Sequence, residues 1–145
     1  MASSETVLPV FEKCAIVIDD VLPAGLAMNA AAVLALSVGD IFGESLLGPD
    51  VKDRDGRVHP GITDVPLPIL KAGSEVLHGI VAKALQEPDV FLVDFTSAAQ
   101  AARNYDDYIT AMEATGAEGH VYVGIAVAGK KKAVQRLSGS LPLYR

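Results

Sequence analysis

Two adjoining segments limit the fold of this chain more than any others. CAIVI, residues 14–18, is a continuous apolar run with β-branched residues, bounded by Asp19 and Asp20. A strand with one wet face alternates polar and apolar residues, so a run apolar throughout reads as a strand buried on both faces. Pro23 and Gly25 then mark a turn. Leu26 to Val38, rich in Ala and Leu, reads as a helix with Gly39 as its stop. That helix is apolar nearly all round and is expected to be buried. Asn29 is its one strongly polar side chain. Such a pair needs covering layers. The 145 residues, half of them apolar, fit one domain that buries about two-thirds of its unfolded surface.

The remaining segments supply the layers. Residues 1–11 read as a loose polar arm and 12–145 as a single domain. In GPDVKDRDGRVHPG, Asp55-Gly56 is a hairpin signal. A calcium loop is the sharper reading of Asp53, Asp55 and Gly56, but its first and last ligand positions would fall on Val51 and Ile62. His59, before Pro60, is placed on an exposed loop. VPLPIL, 65–70, is extended, and its prolines restrict it to a sheet edge. Ser74 to about Gln86 is an amphipathic helix with Leu77, Val81, Ala84 and Leu85 on one face and His78 at its boundary. VFLVDF, 90–95, is a second buried strand that also ends in an acid, Asp94. Ser97 and Gln100 form a capping box for a helix running to about Ala114, with Ala101, Tyr105, Tyr108 or Ile109, and Met112 inward. HVYVGIAVAG, 120–129, is a third long strand. KKKAVQRLSG is a short helix, and SLPLY an extended tail. Strands alternating with helices predict an α/β fold: a three-layer sandwich with a mixed sheet of about four main strands.

Bulk properties exclude several function classes. A net charge of -6 and a pI near 4.9 argue against a large phosphate-binding face, so RNA is not a favoured partner. Cys14 is alone, which rules out an internal disulfide and a cysteine zinc site. In a strand it reads as an inert small hydrophobe. MASSETVLPVFEK has neither the basic nor the apolar region of a secretory signal. LAMNAAAVLALSV, the longest apolar helical stretch, has thirteen residues, where a bilayer span takes about twenty. The expectation is a cytoplasmic chain with no membrane segment.

GIAVAGKK, 124–131, has phosphate-loop spacing, but its intervening residues are strand interior, and Lys131 stands where magnesium needs Ser or Thr. The turn after the first strand has one glycine rather than a dinucleotide fingerprint. More informative is a convergence of polar groups. Asp19 and Asp20 end the first strand, Asp94 the next buried one, and Asn29 lies one turn into the first helix. Ligands of open α/β sheets bind outside the carboxyl ends of strands. If the two strands are parallel neighbours, Asp19, Asp20, Asn29, Asp94 and Thr96 line one cleft, with Asp94 as the catalytic candidate, a base or orienting group. The plainer reading is that these acids cap helices and solvate loops. Lys130, Lys131 and Lys132 read as a solvated face, or as a contact for an anion or RNA backbone. No metal and no cofactor is expected.

The chain resembles an uncharacterised bacterial domain family of unknown function whose fold is similar to class II peptidyl-tRNA hydrolase. The resemblance rests on KCAIVIDDVLPAGLAMNAAAVLALSVG, GPDVKDRDGRVHPGI, VFLVDFTSAAQ and YVGIAVAGKKKAVQRLSGSLPLY. Ser138, Gly139, Leu141 and Leu143 match the hydrolases' closing Thr-Gly-x-Leu-x-Leu segment, Gly25 their turn glycine, and Asp94 the aspartate of their Asp-Ala-Gly-x-Thr-Gln segment. Their lysine position holds Leu26, their helical histidine position Val33, and their glutamine position Ala30, or Asn29 in a register shifted by one. The threonine position of the aspartate segment holds Ala98, and Gln100 comes one residue late. The resemblance implies the fold, a cleft and pairing as a homodimer. An apolar leucine cannot replace a lysine that grips phosphate or polarises a carbonyl. The leading expectation is a domain that binds a small molecule or peptide near Asn29 and Asp94. The alternatives are a hydrolase of acyl or ester bonds using Asp94, and a non-catalytic interaction module.

Overall fold

Apolar runs and helix-forming stretches alternate along the whole chain, and the computed structural model, which describes residues 7–43 and 46–145, follows that alternation. In chain order the elements are β1 (Lys13–Asp19), α1 (Ala24–Phe42), β2 (Val51–Lys52), β3 (Val58–His59), β4 (Ile69–Ala72) and α2 (Ser74–Leu85). They continue with β5 (Val90–Thr96), α3 (Ser97–Ala101), α4 (Tyr105–Glu113), a 3-10 turn (Ala117–Gly119), β6 (Tyr122–Gly129) and α5 (Lys131–Ser138). The main sheet has four strands in the order β4-β1-β6-β5. β1 is parallel to β4 and antiparallel to β6, and β6 is antiparallel to β5. The sheet is therefore mixed, and the domain is α/β as expected.

Burial follows the pleat. β6 is buried at all eight positions, and β1 at six of seven. Their alternate residues feed two cores. Cys14, Ile16, Ile18, Ala126 and Ala128 pack with Ala27, Ala30, Leu34 and Val38 of α1. Ala15, Val17, Ile125 and Val127 pack with Leu77, Ile80 and Val81 of α2 and Ala133 and Val134 of α5. Helices thus cover both faces, which is why neither strand alternates in sequence. The tail covers the outer edge of β4: Lys71 N–H donates to Pro142 O at 3.1 Å, and Tyr144 N–H to Ile69 O at 2.8 Å. The Asp55-Gly56 turn forms as read, with Gly56 at φ 88° and β2 antiparallel to β3.

Several expectations need correction. α1 does not stop at Gly39; it runs nineteen residues and ends at Gly43, whose φ is 51°. An interior glycine costs only about 1 kcal/mol, and Phe42 holds the added turn against Phe11 and Phe91. Nor is α1 buried all round, since Met28 is 67% and Leu36 76% exposed. Its length and composition would suffice to cross a membrane, but Ala27, Ala30, Leu34 and Val38 dock it on the sheet. β5 is an edge strand rather than a fully buried one. On α2, Ile80 is buried and Leu85 is exposed.

The helix expected up to Ala114 is two helices, broken where Ala102 turns extended and Asn104 caps α4 by accepting from Asp107 N–H at 2.8 Å. Tyr105 and Ile109 are exposed, while Tyr108 and Met112 are half-buried. The cap of α3 is Thr96, not Ser97. Residues 1–6 of the expected arm lie outside the described residues; Phe11, inside the expected arm, packs on the α1 core.

Candidate functional site

β1 and β5 point the same way, but β6 lies between them, so they are not the neighbours that a shared cleft requires. Asp19 is buried, accepts from Val21 N–H at 3.3 Å and shapes the turn into α1. Asp20 is exposed beside it. Asn29 is exposed on α1, where its Oδ1 accepts from Gln100 Nε2 at 3.4 Å. That amide also donates to Leu26 O at 3.0 Å, so Gln100 ties α3 to the start of α1 instead of closing a capping box. Thr96 is buried, and its Oγ1 accepts from Ala99 N–H at 3.3 Å. Val93 and Phe95 pack toward α1. The pleat sends the intervening Asp94 toward the other face, but on this edge strand it also lines a hollow with Val33 and Ser37 of α1.

Asp94 has its own polar surroundings. Although it is an exposed residue of an edge strand, packing around its carboxyl pushes the pKa up, and the charge of His120 offsets part of that. Tyr108 and Tyr122 are both raised, by burial first and by the Asp94 charge second. A hollow of about 490 Å³ here is lined by His78, Asp94, Glu118, His120 and Tyr122, among others. His78 joins the helix to the strand. Nδ1 lies 2.9 Å from Ser74 O, Nε2 3.0 Å from His120 O, and the ring meets Tyr122 edge-on at 5.0 Å. The boundary role read for His78 is the one it fills. Among the described residues no cluster of His, Cys, Asp and Glu is arranged to hold a metal. His59 pairs with Asp53 at 2.9 Å across the hairpin.

A different cavity went unnoticed in the sequence. The 46–67 segment folds back over the C-terminal half of α1, with Asp64 N–H bonded to Leu46 O at 2.8 Å and Gly48 N–H to Ile62 O at 2.9 Å. Between them is a cavity of about 500 Å³. Its wall includes Ala35, Leu36, Leu46, Val65 and Leu67, and Cys14 forms part of its floor. Burial pushes the Cys14 thiol up to about 11, so the floor stays neutral. Among the described residues of the lining, Asp40 is the only charged one. Cys14 is the second residue of β1 and Asp19 the last, so this cavity lies toward the opposite end of the strand from the predicted cleft. The available signal was the mismatch between an apolar α1 and a polar excursion carrying Leu46, Leu47, Val65 and Leu67.

With residues 12–145 matching its family model, the chain belongs to DUF2000, a family of proteins of unknown function. A solved structure of a protein of unknown function from Agrobacterium tumefaciens strain C58 is similar, with a TM-score of 0.82 and 20% identity. The match covers 92% of this chain and 97% of that one, and at this identity it speaks for the fold alone. No curated protein matches the chain.

Proposed function

We propose that this DUF2000 domain binds a small, largely apolar molecule, or an apolar side chain of a peptide, in the cavity between α1 and the 46–67 segment. The carrying observation is the cavity itself: about 500 Å³ with a mainly apolar wall. Ligand pockets are typically concave, mostly apolar and about 300–1,000 Å³ in volume. Thermal melting against a panel of apolar and amphiphilic small molecules tests the reading. A native-state ligand at a hundred times its Kd adds about 2.7 kcal/mol, several degrees for a domain of this size. Ala32 is exposed and lines the cavity, so Ala32→Trp should abolish the shift without unfolding the chain. A shift lost instead in Asn29→Ala or Asp94→Ala would move the ligand to the strand ends.

A second reading is an acyl or ester hydrolase on a three-layer fold like that of class II peptidyl-tRNA hydrolase. Its support is the raised carboxyl of Asp94 beside His120 and Tyr122, since a general base works best with a pKa near the working pH. The apolar Leu26 at the lysine position counts against it. Turnover of an N-acylated aminoacyl-tRNA, abolished by Asp94→Asn, would establish this reading. RNA contact through Lys130, Lys131 and Lys132 draws little support, because the chain carries a net charge of -6 and Asp89 lies 3.8 Å from Lys130 Nζ.

A further inference from the structure

We infer that the cavity beside α1 selects apolar molecules that end in a hydrogen-bond donor, uncharged or cationic, and discriminates against the same molecules ending in a carboxylate. This rests on the binding reading above and names its ligand class. The wall includes Gly39, Asp40 and Gly43, the last turn and cap of α1. At a helix C-terminus the final carbonyls lack intrahelical donors, and the negative end of the dipole is exposed. The Gly43 N–H returns to Gly39 O and the Leu46 N–H donates to Gly43 O at 3.2 Å, and no basic side chain stands in that last turn to offset the rest. Asp40 is exposed and belongs to no ion pair among the described residues.

The other polar groups of the wall do not reverse that balance. The Thr63 hydroxyl donates to Val65 O at 3.0 Å and accepts from Val65 N–H at 3.3 Å, so its proton is already used. Among the described residues, no Lys, Arg or His lines the cavity. The polar wall is therefore acceptor-rich, and the chain as a whole carries -6. An alkyl or aryl body can pack against Leu36, Leu46, Val65 and Leu67 while an N–H or O–H meets the end of α1. A carboxylate in the same place faces Asp40 and the helix carbonyls.

The test is a matched series, 4-phenylbutylamine, 4-phenylbutan-1-ol and 4-phenylbutanoate, titrated into the full chain by calorimetry at low ionic strength. The amine should bind roughly tenfold more tightly than the carboxylate, with the alcohol between, and the ratio should shrink as salt is added. Asp40→Asn, a surface change, should reduce the ratio to about two- or threefold, the remainder belonging to the helix end. Equal binding of all three, or tightest binding of the carboxylate, would overturn the inference and leave the cavity reading standing. No binding by any of them, or binding unchanged in Ala32→Trp, would overturn both.

Discussion

Burial raises the pKa of both Cys14 and Asp94. The Cys14 thiol rises from 9.0 to about 11, so between those values the folded state holds a proton that the unfolded state has released. Stability is then fully present below about pH 9 and falls as pH rises toward 11, by about 2–3 kcal/mol if the transition is complete. Denaturant melts from pH 7 to 10 should show a shallower alkaline decline in Cys14→Ala than in the parent, although the variant starts about 1 kcal/mol lower at pH 7. A parallel decline would show that the thiol is not responsible. The Asp94 carboxyl is also raised, so its ionisation costs stability once pH exceeds the usual carboxylate range. Asp94→Asn should therefore melt above the parent at pH 7 and level with it near pH 3. A lower melting temperature at pH 7 would mean that the charge is a structural acceptor.

Among the elements, the entry to α3 and the seat of α1 depend on single residues. Thr96 both caps α3 and is buried, so Thr96→Ala should cost about 1–2 kcal/mol. Ser97 is the first helical residue and exposed, so Ser97→Ala should change denaturant stability by less than about 0.5 kcal/mol. The reverse order would restore the capping box. α1 sits close to the sheet because β6 has Gly124 beneath it. A Cβ there would lie 2.8 Å from Ile18 Cδ1, 3.0 Å from Leu34 Cδ1 and 3.3 Å from Val17 O. Gly124→Ala should lower stability by about 1–3 kcal/mol through overpacking. An unchanged melting curve would mean that Leu34 moves aside without loss. Element existence was legible for the long strands and for α2, even where burial differed at Leu85 and along β5. The break at 102–104 had a local signal in Asn104 with Asp106 and Asp107 after it, an N-cap with acids in the first turn, but the continuing apolar residues masked it.

Across the whole molecule, α1 keeps Leu26, Met28 and Leu36 in water, an apolar side that its monomeric fold does not cover. Pairing of two copies through it is the expected outcome, checked by light scattering on a sizing column, with Leu36→Glu returning the dimer to monomer. A parent monomeric at high concentration would remove the homodimer from consideration. The sequence alone determined a good deal: the α/β class, both continuously apolar strands, the hairpin at Asp55-Gly56, and the exclusion of a phosphate loop in β6. Local propensity and periodicity encode such features within a few residues of each other. Only the tertiary structure decided strand order, and with it the fate of the predicted cleft. Placing β6 between β1 and β5 is a consequence of pairing between β1 and β6, segments about a hundred residues apart. The apolar cavity likewise exists because the 46–67 segment returns over α1, a contact that no local pattern specifies.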